Sequence, residues 1–333
     1  MEIGKLEQVV SSPGLFDLLQ QDLRQVEKEI GLESVASVEA VTTIAQYLQS
    51  SGGKRLRPSL LLLCARMVGD PGQSAVRMAA VVEILHAATL VHDDVIDMAQ
   101  LRRGRPSTNV QWGNHTCVLA GDWLYMQAFH IALRERNFHI LDVLIGLTQL
   151  MVEGELIQLE RVGKIDVTAA DCMEIADRKT AALFSACARL GAVVAGASSE
   201  VEERLGEYAW NLGMAFQLMD DVLDFTARET TLGKPVGGDL REGKVTLPLV
   251  FALETASAEE RQAVETVLRE RSYHSVAFSQ ILSILERHGG IARVMERAQQ
   301  FTDRAQQALG EFPDSPCQRA LMGITALMAH RDH

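Results

Sequence analysis

The chain has 333 residues, 47 % of them hydrophobic and only 5 % aromatic, enough apolar mass for one large core or two ordinary domains. Its formal charge is −12 with no basic stripe to offset it, which argues against a nucleic-acid-binding role. Five cysteines in no CxxC spacing argue against a disulfide framework or zinc site and read as small buried residues of a reducing cytosol. The opening MEIGKLEQVV lacks the basic and apolar regions of a signal peptide, and no apolar run approaches the ~20 residues of a membrane span, so a soluble cytoplasmic protein is expected.

Proline is absent from 107 to 234, where Leu, Ala and Glu favour long helices. In chain order, LFDLLQQDLRQVEKEI and VEAVTTIAQYLQ predict two amphipathic helices. The break SSGGKRLRP leads to SLLLLCARMVG and the long AVRMAAVVEILHAATLVHDDVIDMA. An Arg/Gly/Pro loop follows, then the candidates CVLAGDWLYMQAFHIALRE, HILDVLIGLTQLMVEGELIQLERV and AADCMEIADRKTAALFSACARLGAVVAG. EVEERLGEYAWNLGMAFQLMDDVLDFTA is the last long helix, interrupted by RETTLGKPVGGDLREGK before four or so shorter ones. Several of these are apolar nearly all round, the mark of core helices. No period-2 strand, repeat or low-complexity linker is evident. The expectation is an all-α fold, a single domain over 1–333 with ten or more helices around a central cavity.

Two acidic clusters interrupt this apolar sequence. LVHDDVID places Asp93 and Asp97 four residues apart on one helix face with Asp94 beside them, and QLMDDVLDF repeats the DDxxD spacing with Asp220, Asp221 and Asp224. Like charges so placed repel unless cations compensate, and hard carboxylate oxygens suit Mg²⁺ held jointly with substrate phosphates. Basic residues supply the other half: Lys54 and Arg57 in GGKRLRP, Arg102 and Arg103 after the first cluster, Lys179 mid-chain, and Lys234 and Lys244 in the late loop. Arg55, Arg105 and Arg241 read as solvated surface charges. The glycine signals match neither a Walker A loop nor a dinucleotide fingerprint.

GGKRLRP, EILHAATLVHDDVID, RRGRPS, GDWLY, RKT, FQLMDDVLDF and GKPVGGDLREGKVTLPL run in this order through residues 52–250. In these motifs the chain resembles the trans-isoprenyl diphosphate synthases, and within them the long-chain, octaprenyl-type polyprenyl diphosphate synthases. The resemblance implies head-to-tail condensation of isopentenyl diphosphate (IPP) with an allylic diphosphate such as farnesyl diphosphate, for a quinone side chain. It implies Mg²⁺, three ions per site, held by Asp93, Asp97 and Asp220 with Asp94, Asp221 and Asp224 in support. Lys54, Arg57, His86 and Arg103 match the IPP site. Arg102, Lys179, Thr180, Gln217, Lys234 and Lys244 match the allylic site, with Lys179, Thr180 and Gln217 catalytic through stabilisation of the developing cation. A homodimer with at most peripheral membrane contact is implied as well. The alternatives are a shorter-chain (geranylgeranyl or farnesyl) diphosphate synthase, a class I terpene cyclase, or a non-catalytic partner subunit. The resemblance implies a tail that grows from the first aspartate motif along its helix, so the small Ala88 and Thr89 just before Asp93 imply a deep tunnel, with Phe129 and Leu133 as candidates for its floor.

Overall fold

Leu- and Ala-rich segments become helices in the expected order, and turn residues separate them. The computed structural model describes residues 13–53, 55–70, 72–102, 104–227 and 236–329. Helices α1 (Pro13–Glu33) and α2 (Glu39–Ser50) precede α3 (Leu56–Val68) and the 25-residue α4 (Gly72–Ile96). A short loop leads to α5 (Thr108–Trp112), α6 (Asn114–Leu133) and α7 (Phe138–Arg161). Helix α8 (Ala169–Ala176) passes through a π-helical turn, Asp177–Ala181, into α9 (Ala182–Val194). The 28-residue α10 (Ser199–Thr226) comes next. Helices α11 (Gly238–Glu242), α12 (Leu247–Leu253), α13 (Ala258–Glu270), α14 (Phe278–Arg287), α15 (Gly290–Gly310) and α16 (Pro316–Ala329) complete the described chain. The fold is all-α. Its last part carries more helices than the four or so expected, because Gly243 and Gly289, both at positive φ, break the helical path there.

The loop after α4 and α4 itself also depart from the sequence reading. The loop after α4 folds into a small antiparallel ladder, β1 (Leu101–Arg102) with β2 (Arg105–Pro106), too short to leave an alternating pattern. Gly104 makes its turn at φ +73°, a conformation open to glycine. The second departure is α4, which by length and composition alone could cross a membrane, contrary to the expectation that no such run exists. Within the protein, 67 % of that apolar window is buried, and α4 packs on α1, α3 and α6. It is a core helix, apolar because neighbouring helices cover most of it.

The buried apolar residues form two clusters. One gathers α1–α4, α6, α7, α9, the first half of α10, the end of α15 and α16. The other gathers the second half of α10 with α11–α15. Helix α10 runs through both, with Tyr208 and Leu212 in the first and Leu218 and Phe225 in the second. The carboxylates of α10 therefore have packed helix behind them.

Three arginines read as solvated charges are tied down instead. Arg55 pairs with Glu27 and with the buried Glu83, the latter at 2.9 Å, so a charge on the core helix α4 is neutralised from the end of α3. Arg105 lies 4.2 Å over the Tyr47 ring and donates to the Ser50 and Ser51 hydroxyls. Arg241 lies 5.9 Å over Tyr273.

Helix α9 crosses α3 so closely that a Cβ on Gly191 would lie 2.4 Å from the Leu61 carbonyl oxygen and 3.1 Å from the Ala65 nitrogen. Those atoms are main chain and cannot rotate aside. Gly191→Ala should gain about 1 kcal/mol in helix propensity and lose more than that, about 1–3 kcal/mol, to overpacking. The expected net result is a lower urea midpoint at unchanged m-value; a midpoint at or above wild type would show that the crossing is not rigid.

Candidate active site

The end of α4 sorts its three aspartates by helix phase. Asp93 and Asp97 stand one turn apart, with the Asp97 N–H donating to the Asp93 carbonyl at 2.8 Å. Asp93 lines a cavity of about 490 Å³. Asp94 points the other way and is fully enclosed. Its carboxylate accepts from Arg102 Nε at 2.6 Å, from the Thr108 N–H at 3.0 Å and from the Thr108 hydroxyl at 2.9 Å. Both oxygens accept hydrogen bonds, and Asp94, expected among the metal ligands, does not line the cavity. It anchors the β1–β2 hairpin and draws the Nε of Arg102, expected on a diphosphate, onto itself.

The opposite wall comes from the π turn. Lys179 and Thr180 both line the cavity. Lys179 Nζ donates to Gln158 Oε1 at 3.1 Å and pairs with Glu155, itself a cavity residue. The Thr180 hydroxyl donates to Gln217 Oε1 at 2.7 Å, and Gln217 Nε2 donates to Asp221 Oδ1 at 2.9 Å. Gln217 thus reaches the cavity through Thr180 and ties the π turn to the acidic motif of α10.

On α10, Asp220 is exposed while Asp221 and Asp224 are buried. Asp224 organises the next segment: its carbonyl accepts the Gly237 N–H at 2.7 Å, and its carboxylate accepts the Asp239 N–H at 3.1 Å. The Asp239 carbonyl in turn accepts the Lys244 N–H at 2.8 Å. That chain of bonds delivers Lys244 Nζ to Asp97 Oδ1 at 3.0 Å, joining the two acidic motifs.

Arg57 and His86 line the same cavity. The Arg57 Nε is sealed from solvent without a hydrogen-bond partner, and its guanidinium lies 5.7 Å over Phe184. A buried guanidinium so placed is prepared for an anion. Lys54, Arg103 and Lys234 lie outside the described residues. Thr89 lines the cavity, whereas Ala88 is fully enclosed in the core and does not reach it. Phe129 packs against the first core cluster and Leu133 is 44 % exposed; neither lines the cavity. His92 and Tyr125, to which the sequence reading assigned no role, do line it, with rings stacked at 5.8 Å. A Cβ on Gly121 would lie 2.2 Å from His92 Nε2, which explains the glycine of GDWLY and could have pointed to that histidine.

The polyprenyl synthetase family model matches residues 38–285. The octaprenyl diphosphate synthase of Escherichia coli (strain K12) is 36 % identical over 316 residues, 95 % of this chain and 98 % of the relative. The chain belongs to the polyprenyl synthetase family. A geranylgeranyl diphosphate synthase of Methanosarcina mazei is 34 % identical over 90 % of this chain and 92 % of its own, so product names within reach differ in length. The crystal structure of a polyprenyl synthase from Caulobacter crescentus, complexed with calcium and isoprenyl diphosphate, superposes with a TM-score of 0.91 at 35 % identity, covering 96 % of this chain and 97 % of that one. This polyprenyl synthetase is a trans-prenyltransferase of the isoprenoid synthase fold.

Among the described residues no three His, Cys, Asp or Glu side chains converge as a self-sufficient metal cage. The donor set fits a divalent cation shared with phosphate oxygens, because surplus negative charge gathers at the cavity. Burial, with Glu155 and Asp97 adding repulsion against the attraction of Lys179 and Arg102, pushes the Asp93 carboxyl up to about 6. Burial and the neighbouring Asp239 raise Asp221 well above its ordinary value, against the hydrogen bond from Gln217. Burial pulls the Lys244 ammonium down, yet Asp97 and Glu242 together leave it above the usual lysine value.

Between pH 3.8 and about 6 the folded chain holds a proton on Asp93 that the unfolded chain has released, so metal-free stability rises as pH falls through 6. Above 6 the buried charge is fully present and destabilising. Asp93→Asn should therefore stabilise the metal-free protein at pH 7.5 by about 1–3 kcal/mol, with the gap narrowing at pH 5. Thermal melts of both proteins at the two pH values measure it; a less stable variant at pH 7.5 would contradict the charge balance described.

Proposed function

We propose that this polyprenyl synthetase condenses IPP head-to-tail with an allylic diphosphate such as farnesyl diphosphate, and extends it to a long all-trans, octaprenyl-type diphosphate for a quinone side chain. The observation that carries the reading is the composition of one cavity's lining. Arg57, Lys179 and Asp93 serve a charged head, and Val118, Leu156 and Leu183 offer hydrocarbon to an isoprenoid tail.

Asp93, Asp97 and Asp220 are the Mg²⁺ ligands in this reading, three ions per site, with Asp221 and Asp224 in support and Asp94 holding the hairpin. Mg²⁺ bound there supplies Lewis-acid neutralisation of the allylic diphosphate. Lys179, Lys234, Lys244 and Arg102 take up charge on the departing diphosphate. Lys54, Arg57, His86 and Arg103 hold the diphosphate of IPP. Because Thr180 gives its hydroxyl proton to Gln217, its oxygen lone pairs remain for the electron-deficient allylic carbon. The IPP double bond attacks that carbon, and the released diphosphate takes the proton then lost.

The chain acts as one unit over its length, as a cytoplasmic homodimer with at most peripheral membrane contact. An exposed seven-residue repeat supports the dimer: Phe138, Ile145, Val152 and Leu159 on α7, and Leu119, Met126 and Leu133 on α6. Such a seam matches another helix pair, and a second copy presents the same seam.

Incubation with farnesyl diphosphate, labelled IPP and Mg²⁺, followed by lipid extraction, tests the reaction. Polyprenyl diphosphates are expected, and none should form in excess chelator. Cyclic hydrocarbon would make the chain a cyclase, and no product a non-catalytic subunit.

The tail's route is testable in the same assay. Thr89 lies four residues, or roughly 6 Å of helix, before Asp93. Thr89→Phe should shorten the principal product to about the C15–C20 range, given that roughly 6 Å depth. Ala88→Phe should instead overpack the core, costing about 1–3 kcal/mol, and leave product length unchanged in the folded fraction. Shortening by Ala88→Phe alone would move the tunnel to the other face of α4.

A further inference from the structure

The π turn Asp177–Ala181 sits in a space built for it. A Cβ on Gly154 of α7 would lie 2.8 Å from Arg178 Cβ and 3.0 Å from Lys179 Cγ. On the other side, a Cβ on Gly213 of α10 would lie 2.7 Å from Ala181 Cα and 3.0 Å from Phe184 Cβ. Glycines on two neighbouring helices thus clear room for a turn wider than an α-helix. The Ala182 N–H donates to the Asp177 carbonyl five residues back, so Asp177 is a main-chain acceptor of the turn. The side chain of the same residue is held from outside: Trp210 Nε1 donates to Asp177 Oδ1 at 2.6 Å. Trp210 is itself fixed on α10, its ring edge-on to Phe301 of α15 at 5.7 Å.

We propose that Trp210 and Asp177 are positioning residues that hold the π turn in the register at which Lys179 and Thr180, two adjacent residues, both face the cavity. The pair touches no substrate, and neither residue lines the cavity. Its effect runs through Lys179 and Thr180, so the inference rests on the prenyltransferase reading above. If the tether is lost, the turn is free to relax toward α-helical register, and one of the two side chains swings off the cavity wall. The IPP groups Arg57 and His86 stand on α3 and α4 and are untouched.

The test uses the full chain with farnesyl diphosphate, IPP and Mg²⁺. Asp177→Ala and Trp210→Phe should each lower kcat about 10–100-fold, the scale of a small misplacement of reacting groups. KM for the allylic diphosphate should rise with it, and KM for IPP should stay at the wild-type value. Asp177→Asn keeps an oxygen that accepts the indole N–H and should restore most of kcat. The double variant Trp210→Phe/Asp177→Ala should be no worse than the poorer single one, because both cut the same bond. Equal defects in Asp177→Asn and Asp177→Ala, or losses in kcat and both KM values that merely follow a lowered Tm, would overturn the proposal. Wild-type kinetics in Asp177→Ala would also overturn it. An inactive wild-type chain would instead refute the prenyltransferase reading, so the two failures are distinct.

Discussion

A carboxylate at the edge of an apolar core costs free energy until something neutralises it, and the placement of six aspartates under that constraint organises the rest of the site. Asp94 is compensated by Arg102 and Thr108, and the compensation folds the loop after α4 into a hairpin. Asp97 is met by Lys244, which arrives because Asp224 holds the backbone before it. Asp221 receives Gln217, whose other end receives Thr180. Asp93 alone of the first cluster lines the cavity, and burial, which Lys179 and Arg102 do not offset, raises its pKa. These aspartates thus differ in what already faces them, which is a geometric distinction.

That distinction explains what was legible in the sequence. Spacing within DDxxD identifies a charged stripe in an apolar helix, and the helices carrying both copies form over nearly the stretches their apolar periodicity marks. Which aspartate faces the cavity depends on what packs against α4, and no single helix carries that information. Arg55 and Arg105 mislead for the same reason. Their partners Glu27, Glu83 and Tyr47 lie 28, 28 and 58 residues away in sequence, and only the fold brings them together.

The π turn was the least legible element. AADCMEIADRKTAALFSACARLGAVVAG reads as one uninterrupted helix, and nothing in its composition announces an extra residue per turn. The signal lies elsewhere, in Gly154 and Gly213, which look like ordinary weak points of two long helices. Glycine inside a helix costs about 1 kcal/mol relative to alanine, and here the missing side chains are the space the turn occupies.

Helix phase alone separates Ala88 from Thr89 and His86. At about 100° per residue, Thr89 lies four steps before Asp93, a net rotation of roughly 40°, and His86 lies seven steps before it, a net of roughly 20°. Both therefore share the stripe of Asp93, and all three line the cavity. Ala88 is five steps away, roughly 140° off, and is walled into the core. Smallness drew attention to Ala88, but a small residue on the wrong face records close helix packing. Phase decides first which residues a growing tail can meet, and size then decides how far past them it can go.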